Sequence, residues 1–179
     1  LLCELAAYLH NKDMEINVWD RIIAFEGRMH EFIKAAYDYQ DNTFHSHPGY
    51  YIDYFEMRLA QLQVLHNLHY EIMKIRKMPK QALVIADYIM YMADYVVEMN
   101  IPDQQIEKLE EISEQMKQEE LPKTREEFEG RALLYHILMD LEEFLVYKKR
   151  FVNGLDEKKL RIYWKQEMEQ KDSANELQK

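Results

Sequence analysis

Residues 50–77 read YYIDYFEMRLAQLQVLHNLHYEIMKIRK. Apolar side chains recur in this stretch at intervals of three, four or seven residues, which is the spacing of one face of an α-helix. The apolar stripe consists of Phe55, Leu62, Leu65, Leu68, Ile72 and Ile75. The opposite face carries Glu56, Gln63, Asn67, Lys74 and Lys77. The pattern predicts one long amphipathic helix from Tyr50 to Lys77, and the rest of the chain is interpreted around it.

Helical spacing continues on both sides of this stretch. The predicted helices before it cover 1–10 and 13–40, with Asp13 as the cap of the second, and a loop over 41–49 contains Pro48-Gly49. The predicted helices after it cover 79–99, the segment between Asp103 and Pro122, 124–151 and 156–168. No segment alternates between apolar and polar residues as a half-buried strand would. The sequence therefore predicts an all-α protein.

The architecture follows from the lengths of these helices. Thr124-Arg-Glu-Glu127 has the form of a capping box, in which the threonine oxygen accepts from the third backbone amide along and the glutamate reaches back. Long helices joined by short connections pack as antiparallel neighbours. We expect an antiparallel helical bundle of three or four long helices with shorter helices packed on it. It forms a single helical domain over 1–168, followed by a polar tail over 169–179.

The composition excludes several classes of protein. The 179 residues include 33 acidic and 23 basic side chains, a formal net charge of −10, whereas nucleic-acid-binding domains are usually basic. Cys3 is the only cysteine, so the chain cannot form an internal disulfide. The longest stretch without a charged residue, Leu59 to Tyr70, is too short and too polar to span a bilayer. We expect a soluble domain that binds no nucleic acid.

The sequence contains no catalytic or metal-binding motif. It has no G-x-S-x-G elbow and no glycine-rich phosphate loop. No histidine follows an acidic residue by three positions, the arrangement that metal sites in bundles use. His66 and His69 share one helix face and His45 and His47 form a pair, but neither pair has further ligands at a recognisable spacing. We expect no catalytic residue, no metal and no cofactor.

Three charged side chains fall on apolar stripes. Arg58 lies on the apolar side of the helix over 50–77. Arg131 lies on the stripe formed by Phe128, Leu134, Leu138, Leu141 and Leu145, and Glu26 lies among Trp19, Ile22, Met29 and Ile33. An unpaired buried charge costs several kcal/mol, so each group must find a partner, a ligand or solvent.

Three interpretations of these charges remain open. In the first, Arg58, Arg131 and Glu26 form an internal network, with Glu142 as a further member, that fixes the register of the helices. In the second, one guanidinium donates a pair of hydrogen bonds to a ligand carboxylate. The ring contacts to that ligand would then come from Tyr51, Tyr54 and Phe55. In the third, the long stems lie along the core and the charged groups reach water.

Three segments together resemble a known family. They are 51–61 (YIDYFEMRLAQ), 121–132 (LPKTREEFEGRA) and 140–145 (DLEEFL). In this order and spacing they are similar to the C-terminal domain of the putative aromatic acid exporter family of Gram-positive bacteria. The resemblance extends from the first helix to about Phe151. Both Arg58 and Arg131 lie inside the matching segments.

The resemblance implies a function for the longer protein. It implies a cell membrane protein whose transmembrane domain precedes this chain, and a helical domain on the cytoplasmic side with that transmembrane domain as its partner. We therefore predict a non-enzymatic domain with a regulatory or assembly role in transport, in which a homo-oligomer is a further partner. One alternative is a domain that binds small aromatic carboxylates through Arg58 or Arg131. Another is a stand-alone helical scaffold or signalling adaptor.

Overall fold

The computed structural model describes residues 1–10, 18–42 and 49–164. Within these ranges there are seven α-helices and no strand, which confirms the predicted all-α class. The helices are α1 (Leu2–Leu9), α2 (Val18–Asn42), α3 (Gly49–Lys74), α4 (Ala82–Ala93), α5 (Asp103–Lys117), α6 (Arg125–Asn153) and α7 (Glu157–Tyr163). None of the helices in the described ranges has both the length and the hydropathy needed to cross a membrane.

The long helix α3 lies at the centre of the bundle. It packs against α2 on one side and α6 on the other, while α1 and α4 pack against each other and α5 packs mainly on α6. The main core is the continuous set of buried aliphatic side chains that these helices share, among them Leu5, Leu68, Ile85, Leu134 and Ile137. Each such side chain contributes about 1.5–3 kcal/mol by leaving water. The predicted bundle is therefore confirmed.

A second, smaller core lies where α7 returns to the bundle. This ring cluster contains Tyr50, Met57, Phe151, Leu155 and Trp164, with Tyr54 and Tyr163 packed against it. It joins the start of α3 to the end of α6. Aromatic side chains make up more than half of it, whereas the main core is mainly aliphatic.

The structure shortens two of the predicted helices. The helix predicted over 79–99 is α4, which ends at Ala93, and the helix predicted to Lys77 is α3, which ends at Lys74. After Ala93 the backbone hydrogen bonds connect residues three apart instead of four, as in the bond from the Tyr95 amide to the Met92 carbonyl. A longer helix would leave the Glu98 carbonyl without a donor, because the residue four positions on is Pro102.

The start of α6 follows the predicted capping box closely. Thr124 Oγ1 accepts a hydrogen bond from the Glu127 amide at 3.1 Å. The Glu127 carboxylate reaches back to the amide of Lys123 at 3.0 Å, one residue earlier than the motif requires. Nearby, Gly130 allows the α3–α4 connection to approach α6, since a Cβ at this position would lie 2.9 Å from Pro79 Cγ. The start of α6 is thus fixed by both a cap and a close contact.

Several predictions fall on residues that the structure does not describe. These are the cap at Asp13, the loop residues 43–48 with His45 and His47, the end of the last helix over 165–168 and the polar tail over 169–179. The organisation as a single domain over 1–168 stays a prediction.

Candidate functional site

A mainly apolar groove of about 520 Å³ opens along α3, where α1 and α2 flank it. Its walls include Leu1, Leu2, Phe25, Met29, Phe55, Leu62, Leu65, Ala93, Val96 and Phe144. The other side chains that line it carry hydrogen-bonding groups, and these are Cys3, Tyr54, Arg58 and Gln61. A concave apolar surface with a few polar groups at one place is the usual form of a small-molecule site. We refer to it as the Arg58 groove.

The guanidinium of Arg58 is held in a defined position. Its Nε donates to Tyr54 Oη at 3.0 Å, and its Cζ lies 5.1 Å from the centroid of the Tyr54 ring. Its Nη1 donates to Gln61 Oε1 at 2.9 Å. Gln61 is buried and in turn donates from Nε2 to the Phe144 carbonyl of α6 at 2.7 Å. The cation is therefore tied to both α3 and α6, and less side-chain entropy is lost when it binds a ligand.

Arg58 keeps hydrogen-bond donors for a ligand. A guanidinium has five N–H groups, and the contacts to Tyr54 and Gln61 use two of them. Within 1–10, 18–42 and 49–164, no nitrogen of Arg58 is both buried and without a partner. Nη2, which has no hydrogen-bond partner in these ranges, is therefore not fully buried, and at the groove it can donate to a carboxylate.

Aromatic rings form the wall next to this cation. Phe55 stacks on Phe32 of α2 with the ring centroids 5.3 Å apart, and it meets Tyr54 edge to face at 5.5 Å. Phe25 of α2 is partly exposed on the other side of the groove. A flat ring could pack against these side chains while its carboxylate reaches Arg58. Tyr51 does not line the groove, because its ring lies against Tyr50 and Tyr163.

The structure gives Arg131 a separate place and separate partners. Its Nη2 lies 2.7 Å from Glu127 Oε1 and 3.9 Å from Glu119 Oε2, and its Nη1 donates to the Glu120 carbonyl at 2.5 Å. Only 12% of its side chain is exposed. Arg131 therefore ties the start of α6 to the end of α5 and lies outside the Arg58 groove.

The charged residues on the predicted stripes do not meet at a common point. Glu26 is half-buried on α2 and is bonded to neither Arg58 nor Arg131, and Glu142 is exposed. Two stripe positions were also predicted wrongly, since Phe128 is 61% exposed and Trp19 is 40% exposed. Both lie near the first turn of their helices, where fewer neighbouring elements are available to cover a side chain. Among the described residues, Arg58 and Arg131 therefore have different partners, and neither is bonded to Glu26.

The sequence analysis missed Lys148 and Gln61. Lys148 is 4% exposed, and its Nζ donates to the Glu98 carbonyl. A signal existed, because Lys148 follows Leu141 and Phe144 at intervals of seven and four residues on the buried face of α6. Gln61 likewise lies three residues after Arg58. A check of every polar residue on the buried stripes would have found both.

The pKa of the Asp140 carboxyl group lies above its ordinary value. Burial raises the pKa of Asp140 to about 6, and the nearby charges of Glu71 and Glu143 act in the same direction, while His136 opposes them. Its Oδ2 is buried and has no hydrogen-bond partner in the described part of the chain. Asp140 is half-buried, and the charge of Glu71 on α3 lies close to it.

A larger opening, about 920 Å³, lies at the other end of α3, but its chemistry suits a ligand less well. Glutamates neutralise much of its positive charge, because Arg125 pairs with Glu129 at 2.9 Å and Lys77 lies 4.0 Å from Glu126. Across the described ranges, no three His, Cys, Asp or Glu side chains are grouped to hold a metal ion. The Arg58 groove remains the better candidate.

His66 and His69 lie at the contact between α2 and α3. The ring of Trp19 meets that of His66 edge to face at 4.5 Å. Burial, together with the neighbouring His66, lowers the pKa of His69. Both imidazoles thus pack against an aromatic ring.

Comparisons with known proteins agree with the resemblance seen in the motifs. Residues 1–149 match the model of a family described as "Putative aromatic acid exporter C-terminal domain". Over 98 residues, 55% of this chain, the sequence is 32% identical to "Uncharacterized protein YqjA" of Bacillus subtilis (strain 168). The match covers 30% of that relative, so the chain spans less than a third of its length. The crystal structure of a putative membrane protein from Clostridium difficile 630 has a TM-score of 0.74 at 26% identity, covering 84% of this chain and 87% of that one.

Proposed function

This chain belongs to the putative aromatic acid exporter C-terminal domain family, and from that premise we propose that it is a non-catalytic regulatory domain that senses small aromatic carboxylates. The single observation that carries the proposal is the Arg58 groove. There a fixed guanidinium with accessible donors lies beside the rings of Tyr54 and Phe55. Binding would report the presence of a transported acid to the transmembrane domain of the longer protein.

The charge of the domain supports a position away from the membrane surface, on the cytoplasmic side. A net charge of −10 opposes adsorption to the anionic inner leaflet. The domain should therefore not sediment with vesicles that contain phosphatidylserine. Tight binding to such vesicles would contradict this part of the proposal.

Binding is tested by calorimetric titration with benzoate, with cyclohexanecarboxylate as the non-aromatic control. Benzoate at 100 times its dissociation constant should raise the free energy of unfolding by about 2.7 kcal/mol. Arg58→Met keeps the stem of the side chain and removes the charge, so affinity should fall about 10- to 150-fold, the equivalent of about 1.5–3 kcal/mol. Arg76→Met, an exposed arginine beyond the far end of α3, is the matched control and should bind normally. Absence of heat and of stabilisation with benzoate would refute the sensing role.

An assembly role is a second candidate, favoured by an exposed aromatic stripe on α2. Phe25, Phe32 and Tyr39 recur at intervals of seven residues on one face of this helix and are 37%, 45% and 60% exposed. We propose that this stripe contacts a second copy of the chain. Light scattering over a concentration series should then show a dimer that Phe32→Ser weakens and that Lys34→Ser, on the opposite side of the helix, does not. A monomer at every concentration would remove the assembly role.

A further inference from the structure

The ring cluster encloses the side chain of Trp164, which directly follows α7. Trp164 is 2% exposed, and its Nε1 donates to Tyr50 Oη at 3.0 Å. The Tyr50 hydroxyl in turn donates to Glu98 Oε1 at 2.7 Å. The indole is therefore held as a bound ligand would be, by a ring pocket and one directional hydrogen bond at its edge.

A buried cation lies against the same rings. The Nζ of Lys148 lies 5.3 Å from the centroid of the Trp164 ring, 5.2 Å from that of Phe151 and 5.7 Å from that of Tyr54. A cation over the face of an aromatic ring is attracted by the electrons of the ring, most strongly for an indole. The pocket on α3 and α6 thus favours a planar, electron-rich ring, whether or not that ring belongs to this chain.

The helix that carries Trp164 is short and lightly attached. With seven residues, α7 is below the length at which an isolated helix is stable in water, and none of these seven residues is buried. Its attachment includes the stack of Tyr163 on Tyr50, with centroids 3.9 Å apart, the packing of Leu160 on the ring cluster, a 3.8 Å ion pair between Lys159 and Asp53, and Trp164 itself. A segment held mainly by one end can open locally without unfolding the bundle.

We propose that Trp164 is an internal ligand in this pocket and that a free aromatic compound with an N–H or O–H donor at its edge competes with it and releases α7. Indole is the simplest such compound. The inference is independent of the Arg58 groove, because indole has no carboxylate to bind a guanidinium.

The release of α7 can be observed directly. Protein labelled with 5-fluorotryptophan has two fluorine signals, from Trp19 and Trp164, and Trp19→Phe assigns them. Addition of indole should move the Trp164 signal towards that of an exposed side chain and leave the Trp19 signal in place. A Trp164 signal that stays unchanged at saturating indole overturns the proposal.

Removal of the internal ligand should raise the affinity for the external one. If the pocket is free less than a tenth of the time, Trp164→Ala should bind indole at least 10-fold more tightly than the matched control Trp19→Ala. Equal affinities would overturn the proposal. Trp164→Phe keeps a ring and loses the hydrogen bond to Tyr50, so its affinity for indole should lie between those of wild type and Trp164→Ala. If the alanine variant does not fold, the affinity of Trp164→Phe tests the proposal instead.

The sensing role of the Arg58 groove and the internal-ligand role of Trp164 can be tested independently of each other. Arg58→Met should weaken benzoate binding and leave indole binding unchanged. If benzoate binds while indole leaves Trp164 in place, the sensing role stands and the internal-ligand proposal is wrong. If indole displaces Trp164 while benzoate does not bind, the opposite holds.

Discussion

The main core and the ring cluster stabilise the same chain in different ways. The main core is mainly aliphatic and runs through six helices, α1 to α6, and its contacts have little directional preference. The ring cluster is small and mainly aromatic. Two successive hydrogen bonds run through it, from Trp164 to Tyr50 and from Tyr50 to Glu98, beside the buried Lys148. We therefore expect the main core to supply most of the stability and the ring cluster to fix the position of one short helix.

The largest effect is expected from a cavity in the main core. Leu68 is fully buried on α3, so Leu68→Ala should lower the free energy of unfolding by about 3 kcal/mol. Urea unfolding measures this loss, and Gln63→Ala, an exposed position on the same helix, should change it by less than about 0.5 kcal/mol. A loss below about 1 kcal/mol for Leu68→Ala would show that the main core is not the principal source of stability.

A smaller effect is expected at the edge of the main core, where Asp140 is half-buried. The pKa of Asp140 is raised from 3.8 to about 6, so the folded state favours the neutral acid. Its contribution to the free energy of unfolding is therefore fully present below pH 3.8 and is lost as the pH rises through about 6. Asp140→Asn should stabilise the protein by about 1 kcal/mol at pH 7.5, a figure reduced from the full shift because the group is partly in solvent.

The pH dependence of this difference is the sharper measurement. Urea unfolding of wild type and Asp140→Asn should give free energies that differ at pH 7.5 and approach each other towards pH 4. Asp38→Asn, an exposed carboxylate on α2, is the control and should not show this trend. A difference independent of pH would mean that the charge of Asp140 is not what destabilises the fold.

The smallest effects are expected from the loss of helix caps, which should act on global stability at α6 and on local stability at α7. Thr124 and Asp156 cap α6 and α7 in the same manner, each accepting from the amide three residues on. Thr124→Ala should lower the free energy of global unfolding by about 1 kcal/mol. Asp156→Ala should leave global unfolding nearly unchanged and speed amide exchange of Leu160 about fivefold, because α7 opens alone. If Asp156→Ala lowered global stability as much as Thr124→Ala, the two regions would form one cooperative unit.

Much of the fold could be predicted from the sequence because helical spacing and caps are local signals. The stripe on α3 and the cap at Thr124 were both identified correctly, within a few residues at the helix ends. The chain after the early end of α4 is held by a distant contact, because the Glu98 carbonyl accepts from the side chain of Lys148, 50 residues away. No local pattern contains that information.

The candidate site was predictable only in part. The spacing drew attention to Arg58, Tyr54 and Phe55, which do line or flank one groove. The separation of Arg58 from Arg131 was not predictable, because helix faces give angles around an axis and not distances along it. Trp164 was missed because seven residues of α7 are too few to show a stripe, and its burial depends on a contact with Tyr50, 114 residues earlier in the chain.

The ring of Tyr54 is shared by the two pockets. It lies 5.1 Å from the Arg58 guanidinium on the groove side and 5.7 Å from the Lys148 ammonium in the ring cluster. Thermodynamic reciprocity then applies to any movement of this one side chain. If an acid binds in the Arg58 groove as proposed, the factor by which it changes the docking of α7 equals the factor by which docking changes the affinity for the acid. One measurement in either direction then gives the coupling between the two pockets.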